Sequence, residues 1–332
     1  MSGKAVLEAS KQRLKKTLIF FLKVAVSAGI IGFTVYNLDL DAIGRLWLTM
    51  DIGWVALSLL LVTLSYFFGA LQWRYILEMA QFRLSYLKVL GYYYVGLFFN
   101  NFLISGMGGD FMRIYDIHQH SADRERLSPA LATVLFDRFV GLITLIFLAC
   151  LMGMVAVTRG ESPRLVAGIG IMFASWVVLI IALFNKKTAE WTIKPLTKWM
   201  PQKIYVRFQH LYYEIHRFGS ARRSLVCIFA VSILVQLQRI LAIWAIGRAL
   251  GDTSSVRYYI IFVPLMSIAA SLPISIGGTG PREQTTIHLF RRLGVSQEIA
   301  FSIGFLAYVV SMITTVPGAL LFIIRKGKTR HA

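Results

Sequence analysis

Long stretches of the chain are apolar at nearly every position, and they alternate with shorter stretches where charge collects. Six uninterrupted apolar runs approach or exceed the roughly 20 residues needed to cross a hydrocarbon core. They are Thr17 to Tyr36, Ile52 to Trp73, Leu131 to Val157, Leu165 to Phe184, Leu225 to Ile246 and Ile299 to Ile324. Each predicts a transmembrane helix. Two further apolar runs, Tyr86 to Ile104 and Ile260 to Ile276, lead into segments too polar and too short to be ordinary spans, Ser105 to Ala122 and Arg282 to Leu293.

The polar stretches predict a topology. Residues 1–16 carry five basic side chains and one acidic, whereas 37–51 carry Arg45 against Asp39, Asp41 and Asp51. Cytosolic loops are enriched in Lys and Arg, so the first segment belongs inside and the second outside. Residues 185–223 hold nine basic residues against two acidic, and the C-terminal segment holds Arg325, Lys326, Lys328 and Arg330, so both are expected in the cytosol. Six single crossings satisfy these assignments only if each of the two extra apolar runs enters and leaves on the same side. Re-entrant helical hairpins are therefore expected over 86–122 and 257–293.

The hairpin tips resemble one another. The first reads Ile104-Ser105, two residues, Gly108-Gly109, three residues, Arg113; the second reads Ile274-Ser275, one residue, Gly277-Gly278, three residues, Arg282. Counting spans around them predicts an all-α membrane protein forming a single membrane domain over 1–332. It divides into two inverted units, 17–157 and 165–324, each with three spans and one hairpin. Inverted repeats with broken helices at mid-membrane are a common plan of transporters, and channels and membrane enzymes share it. Between the units, 189–219 has an apolar face formed by Ile204, Phe208, Leu211, Ile215 and Phe218, which predicts a helix lying on the cytosolic leaflet or packed on the protein.

Composition supports the bilayer reading and narrows the function. The chain is 57% hydrophobic and 15% charged, far more apolar than soluble domains. Its net charge of +19 sits mostly beside the spans, where it sets topology and attracts anionic lipid, so nucleic acid is not an expected partner. Cys150 and Cys227 both fall in apolar runs and are expected to pack there, without a disulfide or a metal site. The basic N-terminus precedes an apolar run too long for a signal peptide and lacking a small-residue cleavage pattern, so an uncleaved first span is expected. His118 and His120, with Asp116 and Asp123, read as a solvated cytosolic loop. Hydrolase, zinc-protease and phosphate-loop motifs are absent from the sequence, so neither an enzyme nor a cofactor is expected.

The candidate chemistry lies at the tips and in one span. Gly108, Gly109, Gly277 and Gly278 permit sharp turns that leave backbone N–H groups uncovered, and such backbone survives at membrane depth only against protein or water. A helix starting at each tip, with Arg113 or Arg282 beside it, is an anion-binding arrangement; two facing tips would hold a phosphate. Asp110 and Glu283 adjoin those arginines. Asp137 and Arg138 lie in the third span, Asp137 roughly 12 Å from a helix start at Ser128-Pro129. A charge there costs about 2.5–3.5 kcal/mol even on the lenient scale, so it faces a cavity or a partner. Asp137 either holds an arginine for the sake of the fold or serves as a protonatable group in transport. Gln236, Gln238 and Arg239 add polarity to the fifth span, for a substrate or for a neighbouring helix, and Asn100 and Asn101 are expected to satisfy exposed backbone at the first tip.

Three strings, Asn100-Asn101-Phe-Leu-Ile-Ser-Gly-Met-Gly-Gly-Asp110-Phe-Met-Arg113, Phe136-Asp137-Arg138-Phe-Val-Gly141 and Leu272-Pro273-Ile-Ser-Ile-Gly-Gly-Thr-Gly-Pro-Arg282-Glu283, give the chain a resemblance to the lysylphosphatidylglycerol synthase transmembrane-domain family, also described as flippase-like membrane proteins. The resemblance implies movement of lipid between leaflets, in some members aminoacylated phosphatidylglycerol made by a fused synthase. This chain ends at Ala332 without such a domain, which reads as a standalone relative in a bacterial inner membrane with both termini cytosolic. Its expected partners are membrane lipids with anionic headgroups, phospholipid or lipid-linked phosphate, with a second copy of the chain or a lipid-synthesising enzyme as further candidates. A lipid-modifying enzyme and a small-anion transporter or channel are the rival readings.

Overall fold

The computed structural model describes residues 38–102, 108–120, 127–158, 221–271 and 280–328, with isolated positions between them. Within these the chain is helical: α1 (Leu40–Leu48), α2 (Ile52–Met79), α3 (Tyr86–Phe102), α4 (Gly108–His120), α5 (Leu127–Thr158), α6 (Arg222–Ala249), α7 (Val256–Ser271), α8 (Pro281–Phe290), a 3-10 turn (Arg291–Leu293) and α9 (Gln297–Lys328). Helices α2, α5, α6 and α9 are long and apolar enough to span a bilayer, and they coincide with four of the expected spans. The expected spans at 17–36 and 165–184, the segment 189–219, and the tip residues Gly277 and Gly278 lie outside the described residues, apart from scattered positions.

The order long, medium, short, long occurs twice, in α2 to α5 and again in α6 to α9. Ile52 and Arg222, Tyr86 and Val256, and Leu127 and Gln297 are the paired starting residues, each pair 170 positions apart. Asp51 caps α2 by accepting from the Gly53 N–H, and its own N–H donates to the Ala249 carbonyl at 3.0 Å. That bond places the start of α2 beside the end of α6, so these two closely packed helices are antiparallel. Trp54 and Trp244 meet edge to face at the same end, with ring centroids 5.3 Å apart.

Close backbone approach sets the remaining contacts. Helices α3 and α4 fold back on each other where Gly109 meets Gly96: a Cβ on Gly109 would come within 1.7 Å of the Gly96 carbonyl oxygen. Helix α9 reaches α3 in the same way, through Gly318 against the Tyr94 carbonyl. Such approaches are how helices associate in lipid, where no hydrophobic drive separates protein from solvent. One buried cluster surrounds Trp73, Tyr93 and Phe136; a second surrounds Tyr259, Phe262 and Phe290.

Two expectations need correction. Residues 108–120 continue as helix α4, and Asp116 is buried and ion-paired, so this stretch is not a solvated loop up to that point. Its position opposite Arg325 on α9 supplies the partner that makes burial tolerable. Cys150 packs inside as expected, whereas Cys227 lies exposed on the outer surface of α6.

Candidate functional site

Asp137 is the hub of a buried charge cluster. It accepts from Arg113 Nη1 at 2.9 Å through one oxygen and from Gln72 Nε2 at 2.8 Å through the other. Arg113 also donates to Asp110 at 3.1 Å, one turn back on α4, and Asp110 pairs in turn with Arg138. Two arginines and two carboxylates make the group electrically neutral. The Arg113 guanidinium lies 4.8 Å from the Trp73 ring centroid and 5.2 Å from that of Tyr93, and only 7% of its side chain is exposed. Arg113 therefore has a carboxylate at each end and aromatic rings on its flat face, which is the environment that compensates a desolvated guanidinium. Gly96 makes room for its aliphatic stem: a Cβ there would come within 2.6 Å of Arg113 Cγ.

The start of α4 is satisfied locally. Asn100 Oδ1 accepts from the Gly109 N–H at 2.9 Å, and Asn101 donates to Ser311 and Thr315 on α9. Gly108 and Gly109 thus open a helix whose second amide is already engaged by α3.

Arg282 stands in a different setting. Gly280 precedes α8 with a φ of 96°, a left-handed conformation that favours glycine, and its N–H donates to Glu283 Oε2 at 2.6 Å. Glu283 Oε1 accepts from Arg282 Nε and Nη2 at 3.1 and 3.0 Å, and the guanidinium lies 5.0 Å from the Tyr308 ring centroid. Arg282 lines a cavity of about 380 Å³ enclosed by α2, α3, α5, α6, α7, α8 and α9. Among the described residues the only other charged one on its wall is Arg239; the polar remainder of these includes Ser58, Tyr66, Gln236, Ser267 and Ser311, and the rest is apolar.

The structure therefore separates the expected site residues. Arg113, Asp110, Asp137 and Arg138 form the neutral cluster; Arg282 and Arg239 face the cavity, with Glu283 behind Arg282. Tyr93 lies between the two groups, with its ring against Arg113 and Arg239 near enough to act on it electrostatically. Gln236 donates to the Gly141 carbonyl on α5 at 3.3 Å and also lines the cavity, while Gln238 is buried away from it. Sequence reasoning missed Gln72, Ser58 and Ser311, single polar residues within apolar runs that carry no motif. It also missed the pair Arg325–Asp116, although Asp116 lies one turn beyond Arg113 on α4.

Across the chain, residues 20–318 match the family model described as the lysylphosphatidylglycerol synthase TM region. A UPF0104 membrane protein of Pyrococcus horikoshii is similar over 322 residues at 23% identity, covering 91% of this chain and 96% of the relative. The family match spans both charged groups, all of α2, α5 and α6 and most of α9, and the chain belongs to the lysylphosphatidylglycerol synthase transmembrane-region family.

Proposed function

We propose that this protein moves a phosphate-bearing lipid between membrane leaflets, with the headgroup held in the cavity between Arg282 and Arg239. The observation that carries the reading is the cavity itself, a space of about 380 Å³ among apolar spans in which, among the described residues, the only charges on the wall are two arginines. Charged residues at membrane depth face a partner or a water-filled path, because exposure to hydrocarbon is costly. The apolar wall offers room to chains that a soluble anion lacks. On the positive-inside reading, the end where Asp51 meets Ala249 is external, and the cavity lies nearer that end. Toward the opposite end Arg325 donates to both oxygens of Asp116 at 2.6 and 3.0 Å and covers the Tyr92 ring at 4.6 Å. A clasp toward one end with a cavity toward the other suits alternating access.

The shared offset of 170 positions at three of the four helix starts supports two inverted units, with 86–122 and 257–293 as re-entrant hairpins. On this reading exchange of conformation between the units would move the clasp from one side to the other. The hairpin tips contribute unequally: Arg282 contacts the headgroup, and Arg113 stands behind Tyr93 as part of the neutral cluster. The test is leaflet exchange of fluorescent phosphatidylglycerol in proteoliposomes, read by quenching with a membrane-impermeant reductant. Exchange above that of protein-free vesicles is expected. Chemical conversion of the lipid would assign an enzyme, and anion flux without lipid exchange would assign a solute pathway.

A further inference from the structure

The charges around the cavity do not cancel. Arg282 is balanced by Glu283, which takes two of its donors. In the neutral cluster Arg113 and Arg138 are matched by Asp110 and Asp137. Among the described residues no carboxylate pairs with Arg239. The guanidinium is half-buried on the wall of the cavity, ten residues from the end of α6, or roughly 15 Å along the helix at 1.5 Å per residue. A second observation points the same way. Ser58 is fully buried on the same wall and its Oγ has no hydrogen-bond partner among the described residues. Buried polar atoms are normally satisfied, and this one faces a space that a ligand would fill.

We propose that Arg239 is the specificity-determining residue of this cavity and that it selects a lipid headgroup of a single net negative charge, a phosphodiester without an ammonium group, with the Ser58 hydroxyl as a further hydrogen-bonding contact. One unmatched positive charge calls for one negative charge. A zwitterionic headgroup would bring an ammonium into a space whose wall is cationic. A phosphomonoester carrying a second negative charge would leave that charge buried without a partner. The inference rests on the transport reading for its cavity but concerns charge selection at a residue that neither hairpin tip supplies.

The experiment is isothermal titration of the detergent-solubilised full chain with dioctanoyl phosphatidylglycerol, dioctanoyl phosphatidylethanolamine and glycerol 3-phosphate. The parent is expected to bind the glycerol lipid about tenfold or more tightly than the ethanolamine lipid, the scale of one charge-assisted contact. Arg239→Gln should remove that preference and Arg239→Lys should keep part of it. Ser58→Ala, which removes a hydroxyl that has no partner among the described residues, should remain folded and bind the glycerol lipid several-fold more weakly. Equal binding of the two lipids by the parent overturns the proposal. So does a preference that survives in a folded Arg239→Gln protein. Glycerol 3-phosphate binding as tightly as the lipid would assign the charge to a soluble anion and overturn the lipid assignment. Selective binding without leaflet exchange would refute transport and leave the site standing; exchange without charge preference would do the reverse.

Discussion

Removing Asp137 tests whether the buried cluster acts as a unit. Asp137→Asn keeps the side-chain shape but leaves Arg113 with Asp110 alone, and Asp110 is already shared with Arg138. The new amide also places an NH2 group against one of the two donors, Arg113 or Gln72, and keeps an acceptor for the other. Breaking a buried pair by removing one partner costs about 3–5 kcal/mol. Arg113→Gln should cost a similar amount, because it leaves the buried Asp137 carboxylate with Gln72 as its remaining donor, while Asp110 keeps Arg138. The double variant removes one charge of each sign, so its loss should fall short of the summed single losses by about 1–3 kcal/mol, the coupling found between residues in direct contact. The assay is urea or thermal unfolding in detergent micelles followed by tryptophan fluorescence, with Trp73 packed against Arg113 as a local reporter. Arg138→Gln is the contrasting case: its side chain is 42% exposed, and a pair so open to solvent contributes about 1 kcal/mol or less. Additive losses for Asp137→Asn and Arg113→Gln within about 0.5 kcal/mol would refute the cluster as a unit. A folded, fully stable Asp137→Asn protein with altered transport would instead make Asp137 a functional carboxylate.

Gly109→Ala should prevent stable folding, because its Cβ would meet the Gly96 carbonyl at 1.7 Å, whereas Gly44→Ala, with nothing within 4 Å, should leave the yield of folded protein unchanged; size-exclusion profiles after detergent extraction compare them. Arg325→Gln removes the partner of the buried Asp116 carboxylate and should lower stability by about 1–3 kcal/mol, less than for a fully buried pair because Arg325 is 40% exposed, and adding Asp116→Asn should restore a large part of that, read by the same unfolding assay. The same Arg325→Gln protein should open the end opposite the cavity, so a cysteine at Tyr92 should label faster with a thiol reagent than in the parent. Cysteines placed at Ser121 and Thr253 should label from the cytosolic and outer sides respectively, and labelling of Ser121 only from outside would contradict the hairpin topology.

The long helices were legible because a bilayer imposes a length and a composition that a sequence displays directly: Ile52 to Trp73, Leu225 to Ile246 and Ile299 to Ile324 fall within α2, α6 and α9. Charged residues inside apolar runs were equally visible, and Asp137 and Arg239 stand out for that reason. Their pairing was not visible. The partner of Arg113 comes from 24 residues away on another helix, and Gln72, the other donor to Asp137, comes from 65 residues away. The matching spacing of Arg113 and Arg282 after their glycines suggested equal roles, but local spacing says nothing about which carboxylates surround each one. Arg113 has two, each with full hydrogen-bond geometry, while Arg282 has the adjacent Glu283 and faces the cavity. Asp116 looked solvated because its neighbours in sequence are polar, yet its partner Arg325 lies 209 residues away.

The central claim is that a lipid headgroup occupies the space between Arg239 and Arg282. An experimental density map of the protein in nanodiscs containing phosphatidylglycerol tests it most directly. The account predicts a phosphate within hydrogen-bonding distance of both guanidinium groups, with acyl density running along the apolar wall and lost when Arg239 is replaced by Gln. A water-filled cavity in protein that still exchanges phosphatidylglycerol between leaflets would contradict it.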